Sequence, residues 1–345
     1  MRSMEKDLGS VKKGMRSSEK DLRSMKKDMR RWEKYRRGML AAMVLAMATC
    51  LLGGCAVSRL NYIYQNGESY TAGDRVISDK IESIDIDYMS GGVKLLGTSE
   101  TSVEIRETSE KKLDDKQRVH TWVDGTTLYV RYCASAKGLD LNNLKKSLVI
   151  ELPESVDLAK VKLEVSSAEV TCENFEAQSV DVSSSSGDIK VDCSAKKIKL
   201  HASSGEISLL QHGESDEISV DASSGKISLE AEKVERLTIG ASSGSITVNA
   251  DAIKSFKAES SSGDCSFRFA NTPESMDVSA SSGNVTAYLP EKADLTADVT
   301  ISSGKFFYEL PFSKTGDLYV CGSGANKLKV HTSLGDINLK MIKAE

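Results

Sequence analysis

The sequence predicts an all-β repeat protein: a β-solenoid of Ser-Ser-Gly repeats about 19–20 residues long, preceded by one membrane or signal helix and a candidate N-terminal coiled coil. Three observations carry this reading. One glycine recurs at Gly187, Gly205, Gly225, Gly244, Gly263, Gly283 and Gly304, at intervals of 18, 20, 19, 19, 20 and 21 residues. Apolar residues alternate with polar ones on both sides of each glycine. The 21 residues from Gly38 to Ser58 contain no charged side chain.

The chain divides into five segments: 1–37, 38–58, 59–79, 80–165 and 166–345. The first is basic. Residues 1–38 hold 14 Lys/Arg against 6 Asp/Glu, a balance of +8, leaving 32 against 44 (−12) for the rest. A basic head, an apolar run and an acidic body form the charge pattern of a membrane protein and argue against a nucleic-acid partner. Residues 1–35 also repeat every 14 positions: MRSMEKDLGSVKKG is followed by MRSSEKDLRSMKKD and MRRWEKY. Met1, Met4, Leu8, Val11, Met15, Leu22, Met25, Met29 and Trp32 step by three and four, interrupted at Ser18, which is the seam of a coiled coil. Two readings stay open: a cytoplasmic coiled coil through which residues 1–35 self-associate, or upstream sequence that is not normally translated.

As a helix rising about 1.5 Å per residue, residues 38–58 span roughly 30 Å, one hydrocarbon core. Arg30, Arg31, Lys34, Arg36 and Arg37 precede the run, so the N-terminus is expected inside and the acidic body on the outer face of the cytoplasmic membrane. The run reads either as an uncleaved signal anchor or as a lipoprotein signal ending in Leu52-Gly53-Gly54-Cys55, with Cys55 the lipidation candidate. The long basic region before it weighs against the second reading; a start at Met29 or Met39 would shorten that region, though Met39 would also discard the basic flank. Residues 59–79 read as a spacer from the membrane.

Residues 80–165 read as the N-terminal β region of the solenoid, with strands KIESIDIDYM, GGVKLLGT, TSVEIRET, TTLYVRYC and SLVIELP. The charged stretch 110–118 between them is expected as a solvated loop. In the array, serine fills the two places before each recurring glycine, from Ser185-Ser186 to Ser302-Ser303. Five places before the glycine stand Val182, Leu200, Val220, Ile239, Ala258, Val278 and Val299, and the residue three before is nearly always small. Two after it come Ile189, Ile207, Ile227, Ile246, Cys265, Val285 and Phe306, and four after it Val191, Leu209, Leu229, Val248, Phe267, Ala287 and Tyr308.

Each repeat is therefore strand, corner, strand and variable return, and stacking equivalent strands buries the apolar rows. The glycines are corner residues. Turn chemistry accounts for the serines, and a polar binding strip is the functional alternative. Ser166-Ser167-Ala168 reads as a degenerate opening copy and Gly322-Ser323-Gly324 as a degenerate closing one. Cys172, Cys193, Cys265 and Cys321 fall on inward positions; Cys172 and Cys193 lie one rung apart, close enough for a pairing that the sequence leaves open.

An opening IESIDIDYMSGGVKLLGT, a middle LVIELPESVDLAKVKLEVSSAEV and serial SSGDI, SSGEI, SSGKI and SSGSI resemble a bacterial family of unknown function that carries the label "putative adhesin" and is related to autotransporter-adhesin heads. The resemblance covers about residues 80–340. It implies a single-path β-solenoid at the cell surface, often behind one membrane anchor.

Catalytic signatures do not emerge from the motifs. His120, His201, His212 and His331 are scattered, and no metal, phosphate-loop or nucleophile-elbow motif occurs. No catalytic residue, cofactor or metal ligand is expected. The reading is a non-catalytic, membrane-anchored surface module, structural or adhesin-like, whose partner is an envelope protein or glycan. Specificity is expected in the variable returns and the outward Lys, Glu and Asp residues. The alternatives are an envelope-stress or signalling component with a coiled-coil output, and a carbohydrate-active enzyme, which would need paired acids on a groove. Mass spectrometry of the mature N-terminus tests the lipoprotein reading. It expects an acylated Cys55, and an intact upstream segment would overturn it.

Overall fold

The computed structural model describes residues 60–141 and 144–343. The heptads, the apolar run 38–58 and Cys55 lie outside them. Among the described residues no helix is long and apolar enough to cross a membrane. Apart from a 3-10 turn at Gly67–Ser69, the regular structure is all strand.

Long strands that bend at the glycine corners stack parallel and in register. Ser83–Thr98 pairs with Leu158–Ser186, and the stack continues through Ile189–Ser204, Ile207–Ser224, Ile227–Ser243 and Ile246–Ser262. Cys265–Phe269 and Ser275–Ser282 form the next rung. The rows expected from the sequence are the rows observed: Val182, Leu200, Val220, Ile239, Ala258 and Val278 lie side by side, all buried. So do Ile189, Ile207, Ile227, Ile246, Cys265 and Val285 across the corner. A further inward row, Val180, Ile198, Ile218, Leu237, Phe256 and Met276, lies two residues upstream of the first. Each fully buried aliphatic side chain in such rows contributes about 1.5–3 kcal/mol.

The corner glycines hold the rungs at one pitch. A Cβ on Gly244 would meet the Gly225 carbonyl oxygen far inside van der Waals contact, and its φ of 128° is one that side chains rarely adopt. At Gly187 the obstacle is the Ala168 carbonyl, so Ser166-Ser167-Ala168 is a corner, but not the opening one: Ser167 and Ala168 stack on Ser90 and Gly91 of the rung before. Each corner also donates to the next: Gly187 N–H to Ser204 O, Gly205 to Ser224, Gly225 to Ser243, Gly244 to Ser262 and Gly263 to Ser282.

The spatial order then departs from the chain order. Gly283 N–H donates to Leu334 O and Gly335 N–H to Ser303 O. Asn326–Leu334 lies between Ser275–Ser282 and Leu295–Ser303, and Ile337–Met341 lies between Val285–Leu289 and Phe306–Tyr308. The closing corner is therefore Leu334-Gly335-Asp336, and the rung of Gly304 is the last. Gly322-Ser323-Gly324, expected as a closing corner, is instead a turn around Asp294: the carboxylate accepts from Ser323 Oγ at 2.7 Å, Gly324 N at 2.6 Å and Ala325 N at 3.1 Å. Leu334 stands where other corners carry serine, which breaks the signature while the inward positions Val330, Thr332, Ile337 and Leu339 persist. The insertion puts Lys329 between Asp277 and Asp298 on the outer face, where direct stacking would set two carboxylates side by side.

At the other end the first rung is covered. Ser83–Thr98 pairs on its outer side with Thr127–Arg131 and Lys146–Pro153, and antiparallel strands His120–Asp124 and Val103–Ser109 extend that cover. Most of the expected spacer belongs to this cap: Leu60–Tyr62 pairs with Ala136–Leu139, Thr71–Ala72 with His120–Asp124, and Arg75–Ile77 with Val103–Ser109. Rings of Tyr62, Tyr64, Tyr70 and Trp122 pack in sequence, with centroids 4.8–5.6 Å apart. These aromatic contacts hold what composition alone marks as a polar linker. Residues 110–118 are mostly exposed, as expected.

Replacing Gly244 by alanine is expected to destabilise the protein by at least about 2 kcal/mol, through strained backbone and lost corner contact. Urea denaturation measures this against Ser243→Ala, an exposed corner change expected within about 0.5 kcal/mol of wild type.

Candidate binding surfaces

After each corner the fifth residue points outward, and this row is the least repetitive on the stack. Asp192, Leu210, Glu230, Asn249, Arg268 and Tyr288 follow one another in register. Leu210, Glu230, Asn249 and Arg268 of this row edge a groove of about 610 Å³ that crosses several rungs where the returns begin. Its lining includes His212, Glu230, Asn249, Asp251, Arg268 and Glu291. Gln211 steadies the wall from beneath: its buried side chain donates to His212 O at 2.6 Å and accepts from Glu232 N at 3.2 Å. His212 sits between two carboxylates, with Nε2 2.9 Å from Asp192 Oδ1 and Nδ1 3.5 Å from Glu232 Oε1.

Some charges of the returns are paired and others in the groove are not. Further along the returns, Lys254 meets Glu235 at 3.4 Å and Arg236 meets Glu217 at 3.9 Å. Glu230, Asp251, Arg268 and Glu291 are in no ion pair among the described residues. The groove thus offers a guanidinium, carboxylates and an amide to a solute, at the spacing of stacked rungs, roughly 4.8 Å.

The most unusual chemistry of the chain lies elsewhere and is sealed. In the cap, Glu107 continues the inward series Val103 and Ile105, and Lys146 the inward series Leu148 and Ile150. Their side chains are 1% and 0% exposed and meet at 2.8 Å. Lys146 Nζ also donates to Gln117 O at 2.6 Å and to Tyr132 O, and lies 4.0 Å from the Tyr132 ring centroid. Glu107 accepts from Val119 N at 2.9 Å and Tyr88 Oη at 3.4 Å. Burial pushes the Lys146 ammonium below the ordinary lysine range, and the Glu107 carboxylate opposes that push. No substrate reaches this pair, so its role is to brace the cap. Their charge hides them among other charged residues; their alternation with Ile105 and Leu148 is the signal that could have found them.

The seven sequence-predicted glycines all stand at corners and none lines the groove. The corner serines run along the edge, largely exposed, without converging on one point. Cys133, Cys172, Cys193, Cys265 and Cys321 are buried free thiols, so Cys172 and Cys193 are not bridged. Burial lifts them: Cys193 to about 12 and Cys265 to about 11. Among the described residues no group of three His, Cys, Asp or Glu is placed to hold a metal ion.

A stack of parallel rungs with glycine corners, a capped first end and an outward groove defines a non-globular β-repeat architecture. Residues 81–340 match the family described as Toastrack DUF4097, and the chain belongs to it. Among solved structures it is similar to a "putative adhesin" from Parabacteroides merdae, with 14% identity, 82% of this chain and 100% of that chain covered, and a TM-score of 0.45. It is also similar to a "putative adhesin" from Bacteroides fragilis, with 13% identity, 78% and 96% coverage and a TM-score of 0.34. A "putative cell adhesion protein" from Clostridium sporogenes shows 14% identity, 79% and 100% coverage and a TM-score of 0.24. No curated protein matches the chain.

Removing one partner of the buried pair is expected to cost about 3–5 kcal/mol, because the other charge stays buried. In urea denaturation, Lys146→Met should be strongly destabilised, and adding Glu107→Leu should restore most of the loss.

Proposed function

We propose that this protein is a non-catalytic, adhesin-like binding module, exported and tethered by the apolar run 38–58, whose returns engage an envelope glycan. The observation that carries the reading is the groove itself, which gathers Glu230, Asp251, Arg268 and Glu291, in no ion pair among the described residues, with Asn249 across stacked rungs. Carboxylates accept from sugar hydroxyls, Arg268 and Asn249 donate to them, and rigid rungs fix the donors at little entropic cost. A repeating ligand suits a repeating scaffold, since one sugar after another can meet one rung after another.

Binding to purified envelope polysaccharides tests this. Arg268→Ala with Glu230→Gln should weaken binding at least tenfold, while Ser242→Ala at an exposed corner should leave it unchanged. Equal binding by the groove variant would sink the site, and release of reducing sugar by the wild type would sink the non-catalytic reading.

A further inference from the structure

The last rung in space is left open, and there inward rows reach solvent. Each corner glycine donates to the following rung until Gly335, which donates to Ser303 O; no rung follows Gly304 among the described residues. Leu318–Cys321 covers the outer edge of the rung only at Leu295–Asp298, which leaves Val299–Ser303 unpaired on that side. The Ser303 carbonyl faces inward to Gly335, so by strand alternation the N–H and C=O groups of Thr300 and Ser302 face outward. Ile301 stands beside Thr332 in a row that otherwise holds Ala or Ser through the array and is half-buried, and Tyr308, in a row that is buried in the internal rungs, is 47% exposed. Beside them Phe307 is 49% exposed in an otherwise polar row, next to Asn338, and Leu334 is 58% exposed in a row of corner serines. An uncovered strand edge with apolar neighbours is a template for another strand.

We propose that this edge pairs with the same edge of a second copy, antiparallel about a two-fold axis, to give a tail-to-tail dimer. Two features select that occupant. Head-to-tail stacking is closed off because the first rung is already covered by the cap. The edge is also self-complementary. Centring the pair on Ile301 sets Ile301 against its equivalent on the inward face and Thr300 opposite Ser302 twice on the outward face. Thr300 and Ser302 then exchange ladder hydrogen bonds, with no like charges opposed. The corner at Gly304 turns each chain aside before it reaches the Leu318 strand of the other. An isologous contact of this kind closes at two copies and cannot grow into a filament.

The test uses the full-length chain in detergent. Ile301→Cys should form a disulfide-linked dimer on mild oxidation, because a two-fold antiparallel pair brings the position onto itself. Ser224→Cys, on an exposed corner in mid-stack, should not. Thr300→Pro, which removes an outward-facing donor at an edge that tolerates proline, should suppress that cross-link and weaken association at least tenfold in sedimentation equilibrium. Circular dichroism on each variant checks that the fold is retained. Cross-linking of Ile301→Cys no greater than that of Ser224→Cys would overturn the proposal. So would association indifferent to Thr300→Pro, which would point to residues 1–35 instead. Loss of glycan binding by the groove variant with dimerisation intact would leave this inference standing, so the two readings fail separately.

Discussion

The contact between a corner glycine and the carbonyl oxygen of the corner beneath it sets the pitch on which the rest of the molecule depends. Any side chain at Gly244 would push its rung away from the Gly225 carbonyl and part the ladder on both sides of the corner. With the rungs held at one spacing, side chains of like position fall into rows, and the inward rows close a core that no single repeat could bury. The outward rows inherit the same spacing without the same demand for apolar residues. They are therefore free to vary, and the groove at Glu230, Asn249 and Arg268 uses that freedom.

A stack of this kind has two ends, and they are treated differently. The first end is closed by hairpins, by packed rings from Tyr62 to Trp122, and by a buried ion pair between Glu107 and Lys146. Such a pair contributes little net stability compared with apolar packing, but it tolerates few alternative arrangements, because every displaced partner leaves a buried charge. The other end keeps only a partial cover from Leu318–Cys321. The asymmetry makes one end a finished cap and the other a surface open to a strand.

Much of the fold is legible in the sequence because its interactions repeat. Val182, Leu200, Val220 and Ile239 mark an inward row by their spacing alone, and the glycine intervals mark the corners. The upstream row from Val180 to Met276 keeps an equally constant place, seven residues before each corner glycine, and is legible in the same way. The site is harder to read. Arg268 and Glu230 are two charged residues among many until the stack sets them on neighbouring rungs of one groove, either side of Asn249. Residues 60–77 read as a linker because strands of two or three residues carry too little periodicity to be recognised; their partners in the cap define them.

By itself, the sequence determined the all-β repeat, its corners and its inward rows, because these follow from alternation and spacing within each repeat. Only the tertiary structure decided which rung neighbours which. Residues 326–341 enter the stack ahead of the rung that precedes them in the chain, and Lys329 thereby separates Asp277 from Asp298. That choice rests on pairing across the whole stack, between side chains far apart in sequence, and a local period holds no record of it. The same choice leaves the Gly304 rung, rather than the chain's last residues, as the open end.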